Sequence, residues 1–197
     1  MEREHRVVSA VGQTAVPVPA TLGVCEDVEV NGAPFYVMAY VEGAVLHSDI
    51  EAALITPKDR MNLSREVVEV LAELHSVEPD EIGLGDLAKR EEYLSRQLRR
   101  WSRQWEQSKT RELDTMEEVQ RLLEQHMPTQ IGSTIVHGDY RLGNMLVDSG
   151  SIRAVLDWEL CTLGDPLADV GYLLNLSLIH ISEPTRPERI AYSVLCL

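Results

Sequence analysis

Two stretches decide the fold: IVHGDYRLGNMLV at residues 135–147 and IRAVLDWE at residues 152–159. Their apolar residues form three short runs of strand length. The loop between the second and third runs contains Gly150-Ser151, and a glycine at the first position of a two-residue turn favours a β-hairpin. The pattern therefore predicts a short strand, a connecting loop, and then a hairpin.

The predicted hairpin brings two oxygen-bearing side chains together at its open end. With Gly150-Ser151 as the turn, Val147 faces Ala154 and Asn144 faces Asp157. An amide oxygen and a carboxylate are hard ligands that suit Mg²⁺, which completes its shell with waters and substrate phosphates. We therefore predict that Asn144 and Asp157 are metal ligands.

Two residues of the loop before the hairpin are candidates for the catalytic centre. Asp139 lies five residues before Asn144, where its carboxylate can accept or orient the proton of an attacking hydroxyl. His137 belongs to the same loop, and we expect its ring to brace the loop through hydrogen bonds. A base beside two metal ligands is the arrangement that phosphoryl transfer needs, because positioning and charge neutralisation supply most of its catalysis.

The rest of the chain follows an α+β order of strands, helices, hairpin and helix, which predicts two lobes. Asn31-Gly32 predicts a tight turn between two strands. Thr56, Pro57 and Asp59 form a helix start in which Thr56 caps and Pro57 occupies the first position. The predicted helices cover residues 2–11, about 57–76, about 87–109, about 113–126, and a segment that starts at Asp165; the predicted strands cover 21–25 and 35–41.

Composition narrows the function classes. The net charge is −14 and the isoelectric point is about 4.8, so the basic face of a nucleic-acid-binding protein is not expected. One stretch, Lys89–Arg111, carries a net charge of +5 and is either a solvated helix or a docking face for an anionic substrate. We see neither a signal peptide nor an apolar run of membrane-spanning length, so the expected location is cytoplasmic.

The motifs resemble those of the aminoglycoside phosphotransferase/choline-kinase-like family, which has a protein-kinase-like fold. The family pattern His-Gly-Asp-x-x-x-x-Asn matches residues 137–144, and the family's Asp-Trp-Glu matches residues 157–159. Gly164-Asp165-Pro166 with Asp169 is similar to its next signature. The sequence is most similar to the branch found as the kinase-like domain associated with acyl-CoA dehydrogenases.

The resemblance implies an ATP- and Mg²⁺-dependent phosphotransferase that moves a γ-phosphoryl group to a substrate hydroxyl. It implies that Asp139 is the base, that Asn144 and Asp157 hold Mg²⁺, and that adenine binds at a hinge. The hinge residues are Met38, Ala39, Tyr40 and Val41. The branch suggests a hydroxyacyl-CoA as acceptor and an association with an acyl-CoA dehydrogenase domain or protein.

The resemblance also divides the chain. Residues 1–43 correspond to part of an N-terminal lobe with the hinge, and residues 44–176 to a mainly helical C-terminal lobe with the catalytic loop and hairpin. Glu4 occupies the place of a helix glutamate whose lysine partner would lie further upstream, so we expect an incomplete N-terminal lobe. We expect residues 177–197 to be a non-native tail, because ISEPTRP at residues 181–187 resembles translated adapter sequence.

Two other functions remain open from the sequence. A non-catalytic nucleotide-binding or scaffolding module would explain a missing lysine. A metal-dependent hydrolase could use His137, Asp139 and Asp157, but the other histidines form no metal-binding motif.

Overall fold

The computed structural model describes residues 1–46 and 55–180. The helices are α1 (Glu2–Val11), α2 (Val28–Asn31), α3 (Pro57–Ser76), α4 (Tyr93–Ser108), α5 (Asp114–Gln125) and α6 (Leu167–His180). The strands are β1 (Thr21–Cys25), β2 (Phe35–Met38), β3 (Ala44–Val45), β4 (Thr134–Val136), β5 (Met145–Asp148), β6 (Ser151–Val155) and β7 (Thr162–Gly164). This mixture confirms the predicted α+β class.

The strands pair in three small antiparallel sheets. β1 pairs with β2, β4 pairs with β7, and β5 lies between β3 and β6. The N–H of Val155 in β6 also donates to the carbonyl of Pro17 at 2.8 Å. The segment between α1 and β1 is therefore bonded directly to the hairpin that carries the predicted metal ligands.

Helix α3 begins where its sequence predicts. The Thr56 hydroxyl accepts a hydrogen bond from the N–H of Asp59 at 3.2 Å and donates to the Asp59 carboxylate at 2.7 Å. Pro57 occupies the first turn, where it loses no intrahelical hydrogen bond. The cap therefore fixes the start of the long helix on which the C-terminal part of the chain packs.

A single hydrophobic core joins α1 to this long helix. Val7, Val8 and Val11 of α1 are buried in the same cluster as side chains from α3 and from the strands around the hairpin. The buried α3 positions follow a helical spacing that faces the core, and they are Leu63, Val67, Leu71 and Leu74. Helix α1 is therefore an integral part of the fold.

The predicted register of the β5–β6 hairpin is wrong. Its turn is Ser149-Gly150, whose φ angles of 51° and 79° match a type I′ turn, so Asp148 pairs with Ser151. A bulge then shifts the register by one residue.

Two predicted pairings change as a result. Val147 pairs with Ile152 instead of Ala154. The Asn144 carbonyl accepts a hydrogen bond from the N–H of Leu156 at 2.8 Å, so Asp157 lies one residue beyond the expected position.

Three other predicted elements also differ from the structure. The second long helix begins at Tyr93 and not near Leu87. Asn31-Gly32 is not a two-residue hairpin turn, because Asn31 ends α2 and Gly32 caps it with a φ of 75°. The strand predicted over residues 35–41 ends at Met38. The non-native tail predicted over residues 177–197 lies largely outside the described residues.

A substitution at Gly150 tests whether the hairpin turn requires glycine. A Cβ atom on Gly150 would lie 2.7 Å from the Cβ of Asp59, and its φ of 79° disfavours other residues. We expect Gly150→Ala to lower the free energy of unfolding by about 2 kcal/mol, measured by urea denaturation. Gly23→Ala is the matched control, because no atom lies within 4 Å of its Cβ position. Equal losses in both variants would contradict the proposed constraint.

Candidate functional site

Asp139 lies at the centre of a cluster of hydrogen-bond donors. Its Oδ2 atom accepts from Asn144 Nδ2 at 2.7 Å and from Arg141 Nε at 3.2 Å, and the Tyr172 hydroxyl also bonds to this carboxylate. Burial alone would raise the pKa of Asp139, but the bonds from Tyr172, Asn144 and Arg141 outweigh burial and lower this pKa below its usual value. The side chain is 17% exposed, so an ionised carboxylate remains accessible.

Hydrogen bonds to Asp139 orient the side chain of Asn144. Its Nδ2 donates to both the carboxylate and the carbonyl of Asp139, the latter at 3.0 Å. The buried amide is thereby locked with its nitrogen toward Asp139. Within the described part of the chain, no donor engages its Oδ1 atom, so this oxygen is a candidate ligand.

Asp157 lies two residues beyond the end of β6 and is exposed. Its φ of 64° is a left-handed conformation that costs about 1–2 kcal/mol in residues other than glycine. Such backbone strain tends to occur at functional sites, where the surroundings enforce it. Because Leu156 is bonded to Asn144, the Asp157 carboxylate and the Asn144 amide belong to the same end of the hairpin.

His137 braces the loop from inside the protein. Its side chain is fully buried, with the Nε2 atom 3.0 Å from the Leu156 carbonyl and the Nδ1 atom 3.2 Å from the N–H of Asp139. The backbone N–H can only donate, so Nδ1 accepts and Nε2 carries the proton. Burial lowers the pKa of His137, which keeps this ring neutral.

Asp169 holds the backbone of the same loop. Its buried carboxylate accepts the N–H of His137 at 2.8 Å and the N–H of Gly138 at 2.9 Å. The Nε2 atom of His75, at the end of α3, lies 3.1 Å from the same carboxylate. Asp169 therefore braces the loop, and its contact with His75 links the loop to a residue 94 positions away in the sequence.

The predicted hinge residues begin with Met38, the last residue of β2, and Met38 and Tyr40 are the exposed members of the segment. The N–H of Ala39 donates to the carbonyl of Ala20 at 2.8 Å, and the side chain of Tyr40 is 90% exposed. Glu4 interacts with Tyr36 in β2, where burial, Glu4 and Asp157 together raise the pKa of the Tyr36 phenol to about 12. The predicted helix glutamate is therefore on the same side of the fold as Asp157.

Sequence reasoning missed three residues around Asp139 and Asp169. They are His75, Arg141 and Tyr172. Only Arg141 could have been found from sequence, because it lies two residues after Asp139 within the quoted motif. His75 and Tyr172 carry no local signal, since packing of α3 and α6 against the loop decides their contacts.

In residues 1–46 and 55–175, no group of three or more His, Cys, Asp or Glu side chains is arranged to hold a metal ion. Among the described helices, none has the length and apolar character to cross a membrane.

The His75 contact can be tested by stability. We expect His75→Ala to lower the free energy of unfolding by about 1–3 kcal/mol, because the buried Asp169 carboxylate loses a donor. His75→Gln should recover part of this loss through its amide donor. His126→Ala is the control, since this exposed ring, at the end of α5, bonds among the described residues to the nearby Leu122 carbonyl. A loss as large in the control would contradict the assignment.

The buried His137 predicts a pH dependence. The pKa of the folded ring is below its ordinary value of 6.5, so the unfolded chain takes up this proton first on acidification. Below about pH 6.5 the free energy of unfolding should therefore fall as pH decreases. Denaturation curves between pH 7 and pH 5 should show a flatter dependence for His137→Gln, and equal slopes would contradict this origin.

Comparison with known proteins places this geometry in a family. The profile of the phosphotransferase enzyme family matches residues 1–192. Acyl-CoA dehydrogenase family member 10 of Mus musculus is 38% identical over 174 residues, which cover 87% of this chain and 16% of the mouse protein. The chain spans about a sixth to a quarter of the length of the curated relatives it matches.

Solved structures agree with this family match. A Ralstonia eutropha protein assigned to the aminoglycoside phosphotransferases has a TM-score of 0.84 and 36% identity, with 99% of this chain and 61% of that chain covered. The streptomycin–ATP complex of APH(2")-IIa has a TM-score of 0.66 and 20% identity, with 88% of this chain and 59% of that chain covered, and shows the fold alone. The predicted protein-kinase-like fold is confirmed, and the chain belongs to the phosphotransferase enzyme family.

Proposed function

We propose that this chain provides the catalytic centre of an ATP-dependent kinase that transfers the γ-phosphoryl group to the hydroxyl of a small molecule. The observation that carries the proposal is the Asp139 carboxylate, which is accessible, ionised and bonded to the Asn144 amide at 2.7 Å. A second carboxylate, Asp157, follows at the same end of the hairpin. Family membership supports the reaction class.

Asp139 orients the acceptor hydroxyl and takes its proton. A carboxylate with a lowered pKa is a weak base, which suits a loose transition state in which the hydroxyl becomes acidic only as its bond to phosphorus forms. The new oxygen–phosphorus bond forms as the bond from phosphorus to ADP breaks, and ADP leaves with that electron pair. His137 acts by holding the loop and does not touch the substrate, because its ring is fully buried.

Asn144 and Asp157 fit the Mg²⁺ that such a reaction uses. The Asn144 amide presents its oxygen away from Asp139, and the exposed Asp157 carboxylate supplies further oxygen atoms. Both ligand types are hard, and the small number of protein ligands suits an ion that retains waters and binds phosphates. The bound ion would supply positive charge that neutralises the phosphate oxygens.

The segment Met38–Val41 is the proposed adenine site. The N–H of Ala39 is already bonded to the carbonyl of Ala20. Ala39 can therefore offer only its carbonyl oxygen to the adenine ring. Nucleotide use is supported by structural neighbours whose complexes contain ATP or GDP.

A hydroxyacyl-CoA is the proposed acceptor. The support is the similarity to acyl-CoA dehydrogenase family members, which also makes such a dehydrogenase domain the proposed partner. Helix α4 could meet the phosphates of the CoA moiety, because Arg99, Arg100 and Arg103 are exposed on it.

The reaction is tested with the purified chain, Mg²⁺, ATP and a panel of hydroxyacyl-CoA thioesters and simple alcohols. We expect ADP release that depends on the acceptor, together with a product that has gained one phosphoryl group by mass spectrometry. Asp139→Asn should reduce turnover by about 10²–10⁴-fold, since the amide cannot accept the hydroxyl proton.

Asp148→Asn is the matched control, because this exposed aspartate lies at the opposite end of the same hairpin. Its turnover should equal that of the unaltered chain. Nucleotide binding without turnover of any acceptor would favour the non-catalytic module instead. Full turnover by Asp139→Asn would refute the assigned base.

A further inference from the structure

We propose that Arg3, the second residue of helix α1, is a positioning residue for the metal ligand Asp157. Its guanidinium holds the backbone turn that follows Asp157, and this turn keeps the Asp157 carboxylate in place for Mg²⁺. The inference rests on the function proposed above, because it concerns the metal site of that function. It adds a contact between residues 158 positions apart in the sequence, Arg3 and Cys161.

The first support is the strained backbone of Asp157. Its φ of 64° is a left-handed conformation, which a residue with a side chain keeps only where the surrounding structure enforces it. On the N-terminal side, Leu156 is held by two bonds, from its N–H to the Asn144 carbonyl at 2.8 Å and from His137 Nε2 to its own carbonyl at 3.0 Å. On the C-terminal side, the constraint has to come from the turn that begins at Trp158.

The second support is the way in which this turn is bonded. The N–H of Cys161 donates to the Trp158 carbonyl at 3.1 Å, and the buried indole of Trp158 donates to the Val155 carbonyl at 3.0 Å. The Cys161 carbonyl accepts a hydrogen bond from Arg3 Nη2 at 2.8 Å. The first two bonds are local, whereas the third ties the turn to helix α1.

Helix α1 is itself fixed in the fold, so it can serve as an anchor. Arg3, Val7 and Val11 follow one another at intervals of four residues and therefore lie on one face of the helix. Both valines are fully buried in the hydrophobic core. The Ser9 hydroxyl lies 2.9 Å from the Thr21 hydroxyl of β1, which adds a polar contact to the neighbouring strand.

The acceptor of the Arg3 bond is a neutral carbonyl and not a thiolate. Burial raises the pKa of the Cys161 thiol to about 12, so this thiol is protonated at neutral pH. A hydrogen bond from a charged donor is stronger than one between neutral groups. Because an arginine side chain stays charged in proteins, the contact can hold the turn over the ordinary pH range.

The third support is that the same turn lies against the loop that carries the proposed base. A Cβ atom on Gly138 would lie 3.0 Å from both the Cβ and the carbonyl oxygen of Leu160. Gly138 directly precedes Asp139, so a displaced turn would disturb the loop as well as Asp157. Arg3 therefore acts on the metal ligand through the backbone, from a helix on the other side of the turn.

Metal-dependent nucleotide binding provides the test. The affinity for ADP is measured by calorimetry with Mn²⁺ in place of Mg²⁺ and again with EDTA, and the ratio of the two affinities is the gain from the metal. Arg3→Gln should reduce this gain by roughly tenfold to a hundredfold, the usual effect of removing a group that orients a metal ligand. Its affinity for ADP in EDTA should stay within about twofold, since the rest of the nucleotide site is unchanged. Arg3→Lys should recover part of the gain, because an ammonium can still donate to the carbonyl.

Arg6→Gln is the matched control, since Arg6 belongs to the same helix and bonds to Gly83 and Asp86, away from the turn. Its gain from the metal should equal that of the unaltered chain. If Arg3→Gln does not fold, Arg3→Met is the second neutral variant, with the same expected loss, because it keeps an apolar stem on the helix. A full gain in the neutral variant, or equal losses in the Arg3 and Arg6 variants, would overturn the role of Arg3 alone. If the unaltered chain gains nothing from the metal, the proposed metal ligands are wrong and this inference fails with them.

Discussion

The arrangement of the site depends on the buried carboxylate of Asp169, whose exposure is only 1%. It accepts the consecutive N–H groups of His137 and Gly138, and Gly138 has a φ of 87° that no strand or helix ladder would satisfy. Each of these buried amides would cost about 1–3 kcal/mol if left unpaired. Asp169 therefore ties the loop to α6, and through His75 it ties the loop to α3 as well.

The ring of His137 connects the loop held by Asp169 to Asp139 and to the end of the hairpin. One nitrogen accepts from the backbone of Asp139 and the other donates to the carbonyl of Leu156, the residue before Asp157. The ring centroids of Trp158 and His137 lie 4.6 Å apart, and both side chains are buried. A protonated ring would lose its acceptor toward Asp139, so a neutral imidazole is required to position the base relative to the hairpin.

Helix caps were predictable from the sequence because the residues that form them are neighbours in the chain. The cap of α3 needs only Thr56, Pro57 and Asp59, all within four residues. The spacing of Asp139, Asn144 and Asp157 likewise indicated a shared site, since a hairpin must bring its ends together. The hairpin register was not predictable in this way, because Ser149-Gly150 and Gly150-Ser151 are both acceptable turns by composition.

The sequence by itself determined the family motif, the α+β order and the three oxygen-bearing residues of the proposed site. The tertiary structure decided the register of the hairpin, where Gly150 lies against Asp59 and Glu66 accepts the N–H of Ile152 at 2.6 Å. It also decided which donors surround Asp139 and Asp169, because Tyr172 and His75 belong to helices distant in sequence. Caps and turns are set by neighbouring residues, whereas a buried carboxylate finds its donors only when packing brings separate elements together.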